Sequence, residues 1–348
     1  MIKVGISIGD LNGIGMEIII KTFLDNRMSE MCTPIVYGSS KTASFYKKLF
    51  KLDDFNFNII REAQQASSKK VNLVNLWEEE IKIDLGVPTE ISGQYAFKSL
   101  EAATNDLASN KIDVLVTAPI NKHTINSAKF PFKGHTEYLA NVAGTESYLM
   151  ILASEKIKVG TVTGHIPVKE ISSAISTEKI LDKLRVFNKS LVQDFGIEKP
   201  KIAVLGLNPH AGDKGLIGNE EQQIIIPAIE KAKAEKIFAI GPYSADGFFG
   251  SNSYLSFDGI LAMYHDQGLI PFKTISFNEG VNYTAGLPIV RTSPDHGVGY
   301  DIAGKNIADE SSFRNAVYLV CDIYEKRREY KRITSNPLKP ASVSKERE

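Results

Sequence analysis

Residues 201–212 read KIAVLGLNPHAG, an apolar run of strand length followed by a glycine-containing loop that carries a histidine. Two other stretches have the same form, KVGTVTGH at 158–165 and GILAMYH at 259–265. Near-continuous apolar runs of this kind are typical of parallel strands covered on both faces. A histidine that follows such a strand lies at its carboxyl end, which is the edge where open α/β sheets bind ligands. The three histidines are His165, His210 and His265.

Much of the remaining chain alternates between such apolar runs and patterns with helical spacing. Apolar residues recur every three or four positions over 96–107 and over 180–195, as on the buried face of a helix. Alternation of strands and helices is typical of the α/β class. No linker rich in Gly, Ser or Pro separates two independent domains. The further strand candidates are 3–8, 34–38, 113–119 and 147–153.

The composition argues against several classes of protein. The chain has 348 residues, and its 41 basic and 41 acidic side chains give a net charge of zero. A nucleic-acid-binding protein held by phosphate contacts needs a basic excess, which is lacking here. The two cysteines, Cys32 and Cys321, form no CxxC pair. We therefore expect neither a disulfide framework nor a cysteine zinc site.

The expected location is the cytoplasm. No run approaches the roughly 18 apolar residues that a membrane span needs. The first apolar run is interrupted by Asp10 and is too short for a signal peptide. The scarcity of cysteine fits a reducing compartment. Membranes and nucleic acids are accordingly not expected among the partners.

The three strand-end histidines predict a metal site. Three imidazoles delivered to one edge of a sheet can hold a divalent ion and leave coordination positions open for water or substrate. Three unrelated loop histidines are the alternative, but their shared context favours a site. Asp246 and Asp266 lie near two of them in sequence. Carboxylates in such places orient the imidazole rings or accept and donate protons.

Several residues are candidates for binding an anion. His135 and Thr136 stand in GHTEYLA, a pattern that predicts a helix start with free N–H groups. Thr136 as a simple N-cap is the alternative. Three further candidates lie in segments dense in Gly and Pro, namely Lys273, Asn282 and Arg291. The alternative for each is an ordinary side chain in contact with solvent.

Two segments were compared with nucleotide-binding motifs. GDLNGIG at 9–15 joins a strand to a helix, but its glycines do not have the GxGxxG spacing. It either brings backbone close to a ligand or makes a tight turn. The segment 299–306, GYDIAGKN, lacks the final Ser or Thr of a Walker A loop and follows no apolar strand. An NTPase is therefore rejected.

Taken together, the motifs resemble those of the 4-hydroxythreonine-4-phosphate dehydrogenase family, over almost the whole chain up to about residue 313. One departure is that Leu11 and Met16 stand where the family often has prolines. The block 295–309, DHGVGYDIAGKNIAD, is also similar to the nucleotide loop of isocitrate and isopropylmalate dehydrogenases. The matching motifs are GDLNGIG at 9–15, TAPINK at 117–122, PFKGHTE at 131–137, TGHIPV at 163–168, GLNPHAGDKG at 206–215, LAMYHDQGL at 261–269, GVNYTAGLP at 280–288 and RTSPDHG at 291–297.

The resemblance implies a two-lobed α/β/α subunit of the isocitrate/isopropylmalate dehydrogenase-like type, with the active site in the cleft between the lobes. Lobe one would comprise about 1–120 plus 285–330, lobe two about 121–284, and 331–348 would form a polar tail. It also implies a homodimer and the oxidation of 4-phosphooxy-L-threonine by NAD or NADP in pyridoxal phosphate biosynthesis. The product would lose carbon dioxide to give 3-amino-2-oxopropyl phosphate.

The resemblance also assigns roles to individual residues. The metal, with zinc favoured and magnesium or cobalt as alternatives, would lie at the dimer interface. Its ligands would be His165, His210 and His265. Substrate would be bound by His135, Thr136, Lys273, Asn282 and Arg291. Asp246, Asp266 and Lys273 are the catalytic candidates, and the candidates for binding the cofactor are His296, Gly297, Asp301, Gly304 and Asp309.

Three alternatives remain open at this point. A sister dehydrogenase acting on D-threonate or D-erythronate 4-phosphate would share the three histidines. A three-histidine metallohydrolase would need no nucleotide, so the 295–309 block argues against it. An inactive binding protein on the same fold would not be expected to keep all three histidines.

Overall fold

The computed structural model of the protein describes residues 1–126 and 130–336. Most of the predicted polar tail, from residue 337 on, lies outside the described residues. Within them, one sheet of twelve strands carries the fold. The strands are β1 (Lys3–Ser7), β2 (Thr33–Gly38), β3 (Asn58–Ile60), β4 (Asn72–Asn75), β5 (Val114–Thr117), β6 (Leu149–Ala153), β7 (Lys158–Thr161), β8 (Lys201–Leu205), β9 (Phe238–Tyr243), β10 (Gly259–Ala262), β11 (Val281–Ala285) and β12 (Arg291–Pro294).

The order of the strands is β3-β4-β2-β1-β5-β12-β11-β6-β7-β10-β8-β9. The six strands from β3 to β12 are mutually parallel, and so are the four from β7 to β9. Between these sets, β11 and β6 are antiparallel to each other, and each is also antiparallel to its outer neighbour. The two parallel sets therefore run in opposite directions within one sheet.

All seven strand predictions are confirmed, with one correction. The run 147–153 was grouped with the parallel strands, but β6 pairs antiparallel on both sides. Because β6 is buried on both faces, its sequence is as apolar as that of a parallel strand, and its direction is decided by its neighbours. Five further strands, β3, β4, β9, β11 and β12, were not predicted.

Helices cover the sheet. In α4 and α8 the apolar residues at helical spacing are buried as predicted, although α8 ends at Gln193, two residues short of the predicted pattern. The α-helices are α1 (Gly15–Leu24), α2 (Arg27–Met31), α3 (Ser40–Phe50), α4 (Glu90–Ala108), α5 (Lys122–Ile125), α6 (His135–Val142), α7 (Ile171–Ala174), α8 (Thr177–Gln193), α9 (Ile226–Ala234), α10 (Ala245–Gly250), α11 (His265–Ile275) and α12 (Ser311–Thr334). Among the described residues, no helix has both the length and the hydrophobicity needed to cross a bilayer.

A buried ionic cluster connects the central strand β11 to the helices α8 and α12. Asp194, at the end of α8, is fully buried and accepts hydrogen bonds from Tyr283 Oη on β11 (2.6 Å) and from Arg327 Nε on α12 (2.6 Å). Arg327 Nη1 also donates to the carbonyl of Leu287 at 3.0 Å. One carboxylate thus connects α8, the central strand β11 and the long C-terminal helix.

We expect Asp194→Ala to lower the free energy of unfolding by about 3–5 kcal/mol, because it leaves a buried guanidinium without its partner. Urea denaturation followed by circular dichroism measures this change. Glu329→Gln, which breaks the exposed pair with Arg332 on the same helix, is the matched control and should leave the stability unchanged. Equal effects of the two substitutions would show that the cluster does not stabilise the fold.

Candidate active site

A cleft of about 590 Å³ lies across the central strands, from the carboxyl end of β5 to that of β7. In a chain with no net charge, this cleft is basic, because six cationic side chains and only three carboxylates line it. Such a concentration of one sign of charge attracts anions. The cations are Lys122, Lys133, Lys179, Lys183, Lys273 and Arg291, and the carboxylates are Glu137, Glu146 and Asp295.

Arg291, the first residue of β12, is the most deeply placed of these cations and is only 2% exposed. Its Nε donates to Thr117 Oγ1 on β5 at 3.0 Å. Burial lowers the pKa of Arg291 to about 9, so the guanidinium remains charged at neutral pH. No carboxylate of the described residues forms an ion pair with it. A buried charge without a partner is costly, which points to an anionic ligand as its counterion.

Beside Arg291, His135 presents an imidazole that is held neutral. Burial, followed by the charges of Arg291 and Lys122, lowers the pKa of His135 well below its usual value. Among the described residues, its Nε2 is buried without a hydrogen-bond partner, and so is Asn282 Oδ1 on β11. Thr136 follows His135 in the first turn of α6 and also lines the cleft. Buried polar atoms without partners in the protein are the atoms that a ligand satisfies.

Lys273, in the last turn of α11, approaches Asp295 at the end of β12. Its Nζ lies 3.3 Å from the carbonyl oxygen of Asp295 and 3.9 Å from Oδ2. Burial raises the pKa of Asp295, while Lys273 opposes the rise. The pair is thus a place where a proton can be held. Asp295 was not predicted as a site residue, although its position beside His296 in the motif RTSPDHG is a signal that was available.

His165 and His265 are brought together, as predicted for two metal ligands. They follow the neighbouring strands β7 and β10, and their ring centroids are 5.2 Å apart. Burial, followed by the charge of Lys122, lowers the pKa of His165 and favours the neutral imidazole that metals bind. His265 Nδ1 lies 2.7 Å from Asp266 Oδ1, an arrangement that orients the ring and leaves Nε2 available. This donor set suits a divalent transition metal.

His210 is placed elsewhere. It lines a neighbouring cavity of about 830 Å³ together with Asp246 and Asp266. Within residues 1–126 and 130–336, no three His, Cys, Asp or Glu side chains are close enough together to hold a metal ion. His210 follows β8 on an exposed loop, so position after a strand does not by itself deliver it to the other two. One chain therefore supplies two of the three predicted ligands to the cleft, and the three-histidine site stays a prediction.

The two predicted catalytic aspartates lie in this neighbouring cavity and do not line the main cleft. The hydroxyl of Ser244 donates to Asp246 and lowers the pKa of its carboxyl, and the charge of His210 acts in the same direction. Among the described residues, the side chain of Asp266 makes one hydrogen bond, to the ring of His265. Since neither aspartate lines the main cleft, their catalytic role stays a prediction.

Three of the five residues predicted to bind the cofactor line one cavity, and the other two do not. A smaller cavity of about 260 Å³ adjoins the main cleft and shares Lys273, Asp295, His296 and Gly297 with it. Asp309 lines this cavity as well. Two predicted residues lie outside it. Asp301 is exposed, and Gly304 (φ +76°) packs so closely on Leu85 that a Cβ there would lie 2.5 Å from Leu85 Cδ1.

The first loop, 9–15, anchors the cofactor loop. The N–H of Ile14 donates to the carbonyl of Val298 at 3.0 Å, and Tyr300 Oη donates to Asp10 Oδ2 at 2.9 Å. Asp10 is buried and also accepts from Ser92 Oγ at 3.0 Å. The loop therefore makes close backbone contacts with another loop as well as a tight turn. Asp10 and Tyr300, which support the site, were not predicted as functional residues.

Comparison with known proteins gives the family. A profile of the family described as pyridoxal phosphate biosynthetic protein PdxA matches residues 30–320. The chain belongs to the PdxA family. A relative named 4-hydroxythreonine-4-phosphate dehydrogenase, from Bacteroides thetaiotaomicron, is 51% identical over 339 residues, which are 97% of this chain and 93% of that protein.

Solved structures agree with this assignment. The crystal structure of 4-hydroxythreonine-4-phosphate dehydrogenase from Klebsiella pneumoniae is 32% identical, covers 93% of this chain and 100% of its own, and has a TM-score of 0.79. The structure of isocitrate dehydrogenase from Methylococcus capsulatus is 12% identical, covers 96% of this chain and 88% of its own, and has a TM-score of 0.50. The latter shows the fold alone. The chain, a member of the PdxA family, therefore has the predicted α/β architecture of the isocitrate dehydrogenase-like type.

The neutral state of His135 predicts a pH dependence of stability. The unfolded chain binds a proton at His135 near pH 6.5, whereas the folded chain does so only well below that pH. The folded state is therefore penalised as the pH falls through this window. His135→Asn should make the free energy of unfolding less steep in pH between 7 and 5, by up to about 1.4 kcal/mol per pH unit.

Urea denaturation at a series of pH values measures this slope. The control is His123→Gln, a substitution of a histidine that is exposed in the folded chain. An unchanged slope in His135→Asn would mean that His135 takes up its proton equally in both states.

Proposed function

We propose that the chain oxidises 4-phosphooxy-L-threonine with NAD or NADP as a step of pyridoxal phosphate biosynthesis. Its 51%-identical relative is named 4-hydroxythreonine-4-phosphate dehydrogenase, and its family is described as a pyridoxal phosphate biosynthetic protein. The observation that carries the proposal is the buried, unpaired guanidinium of Arg291 in a basic cleft. A substrate with a phosphate and a carboxylate provides the missing counterion. In the reaction, the C3 hydrogen leaves as a hydride for the nicotinamide and the C3 hydroxyl loses its proton. The C1–C2 bond of the resulting β-keto acid then breaks, releasing carbon dioxide.

The residues of the cleft can be assigned separate roles in binding the substrate and in holding a proton. Arg291 and Lys273 are cationic partners for the phosphate or the carboxylate, and Arg291 is rigid because Thr117 accepts its hydrogen bond. His135 and Thr136 provide further hydrogen bonds, with His135 neutral. Asn282 Oδ1, an acceptor without a partner, suits the substrate's ammonium group or its hydroxyl. Lys273, beside Asp295, is placed to hold the proton that the reaction releases or returns.

We propose that His165 and His265 of one protomer hold a divalent ion, zinc by preference with magnesium or cobalt as alternatives, and that His210 of a second protomer is the third ligand. The support is that one chain brings only two of these rings together while its third histidine is exposed on a neighbouring surface. When bound, the ion supplies an electrophile that lowers the pKa of the hydroxyl under oxidation, and NAD(P) supplies the hydride acceptor. Asp266 keeps His265 in the required orientation.

The dinucleotide is proposed to occupy the smaller cavity beside the 295–309 loop. Gly297 lets the backbone approach the cofactor, and Asp309 is a hydrogen-bond acceptor for a ribose hydroxyl. His296 Nε2, buried and without a partner, is a further contact for the nucleotide. Since this cavity adjoins the main cleft at Lys273 and Asp295, the nicotinamide can reach the substrate.

The absorbance of NADH or NADPH tests the proposal. Metal-loaded enzyme should reduce the cofactor when 4-phosphooxy-L-threonine is added and should release one carbon dioxide per cofactor reduced. Removal of the metal by a chelator should abolish this turnover, and a divalent ion should restore it. Faster turnover of D-threonate or D-erythronate 4-phosphate would assign the chain to the sister activity, and full activity in a verified metal-free sample would refute the role of the metal.

Arg291→Ala should weaken substrate binding by roughly one to two powers of ten, the loss expected for one or two charge-assisted hydrogen bonds. Binding of NAD should change far less, because the dinucleotide is assigned to the adjoining cavity. Separate calorimetric titrations of substrate and NAD measure the two affinities. Arg328→Ala, an exposed position on α12, is the control. An equal loss for both ligands would place Arg291 in the wrong part of the cleft.

A further inference from the structure

The turn that carries His210 has a backbone conformation that L-residues rarely adopt. Five consecutive residues, 210–214, have positive φ angles between +40° and +78°, and Gly215 continues the series at +100°. Four of these six residues have a Cβ: His210, Ala211, Asp213 and Lys214. A left-handed run of this kind is strained, and it persists only where the surrounding structure holds it in place.

A buried carboxylate holds this turn. Glu221 is 1% exposed and begins a π-helical turn, Glu221–Ile225, that leads into α9. Its Oε1 accepts hydrogen bonds from the backbone N–H groups of Leu207 and Asn208, both at 2.8 Å. Its Oε2 accepts from Asn208 Nδ2 at 3.0 Å. Three donors from the segment that enters the turn therefore converge on one side chain.

The glycines of the turn make room for this carboxylate. A Cβ on Gly212, which has a φ of +78°, would lie 2.5 Å from Glu221 Oε2. A Cβ on Gly206 would lie 3.2 Å from Glu221 Oε1. The turn thus fits closely around Glu221, and no cation of the described residues neutralises the carboxylate.

The same segment is connected to the helix that begins with His265. Gln267 Nε2 donates to the carbonyl of Gly206 at 2.6 Å, and Gln267 Oε1 accepts from the N–H of Met263 at 2.7 Å. The loop that carries His210 and the start of α11 are therefore held at a fixed separation. Glu221 and Gln267 therefore both hydrogen-bond to the segment 206–208 that leads into the turn.

We propose that Glu221 is a positioning residue for the metal centre: by holding the left-handed turn it presents His210 as a metal ligand. This inference rests on the proposed role of His210 and adds a residue that touches neither metal nor substrate. A carboxylate is required because all three groups facing it are N–H donors. In Glu221→Gln the new amide NH₂ would face the NH₂ of Asn208 or a backbone N–H, and the turn would lose its support.

The test is the affinity for zinc, measured by titration of the metal-free, full-length protein against a competing chelator. Glu221→Gln should weaken zinc binding roughly 10–100-fold, as is usual when a group that orients a ligand is removed. His210→Ala should show a loss at least as large. Glu220→Gln is the matched control, because Glu220 is the adjacent residue and accepts from the same Asn208 amide at 2.8 Å while lying partly in solvent. It should stay within about threefold of the wild type.

A rescue variant separates positioning from a general loss of stability. Glycine adopts positive φ without strain, so Lys214→Gly added to Glu221→Gln should recover roughly five- to tenfold of the zinc affinity. No recovery would show that Glu221 acts on the fold as a whole. If Glu221→Gln fails to fold, Asn208→Ser, which removes the side-chain contacts to Glu221 and Glu220 and keeps the backbone N–H groups that donate to Glu221, should still weaken zinc binding about tenfold, and unchanged affinity would overturn the proposal.

The remaining outcomes separate this inference from the proposed function. Wild-type zinc affinity in Glu221→Gln together with a loss in His210→Ala would refute the role of Glu221 and leave the metal site standing. Wild-type affinity in His210→Ala would refute His210 as a ligand, and the role of Glu221 would be refuted with it.

Discussion

The cleft is organised around one uncompensated charge. The guanidinium of Arg291 is buried at the start of β12, held by Thr117 of the neighbouring strand and without a carboxylate partner in the described part of the chain. Burying this charge costs free energy, which the favourable interactions of the rest of the fold offset. An anion that binds beside it reduces this cost. The neutral state of His135 follows from burial first and from the same charge second, since both lower its pKa. The polar atoms left without partners on His135 and Asn282 lie around the same cavity. Ligand binding is therefore favoured because it satisfies polar groups that have no partner among the described residues of the protein.

The strands with near-continuous apolar runs could be predicted from the sequence, whereas the two central strands β11 and β12 and the strands β3, β4 and β9 towards the ends of the sheet could not. Strands such as β1, β5 and β8 are mostly apolar because both their faces are buried. The central strand β12 reads RTSP and contains no apolar residue except its proline, yet all four residues are buried. Its polar side chains find partners on other elements, as Thr292 does on α12 and Arg291 does on β5. Pairings between such distant segments are not visible in local periodicity.

The same limit applies to the site. The position of His165 and His265 at the ends of predicted strands led to the expectation that they meet, and they do so because the structure places these two strands side by side. His210 has the same local signal, but its direction depends on a left-handed turn and on a glutamate eleven positions further along the chain. Asp10 likewise looks like an ordinary turn residue, although its carboxylate binds the hydroxyl of Tyr300, 290 positions away. A sequence pattern indicates which residues stand at strand ends, whereas long-range contacts decide which way they face.

The order of strands has a consequence for how the protein is made on the ribosome. Strand β5 pairs with β1 on one side and with β12 on the other, but β12 is synthesised only after the whole of β6 to β11. During translation the edge of β5 therefore carries unpaired N–H and C=O groups, and an exposed strand edge of this kind is a template for aggregation. The helix α12, which packs against β5 and β12, emerges last. The edge of β5 therefore stays unpaired until β12 has been synthesised. Nascent chains that stall before β12 expose this edge and are the form of the protein that most needs a chaperone.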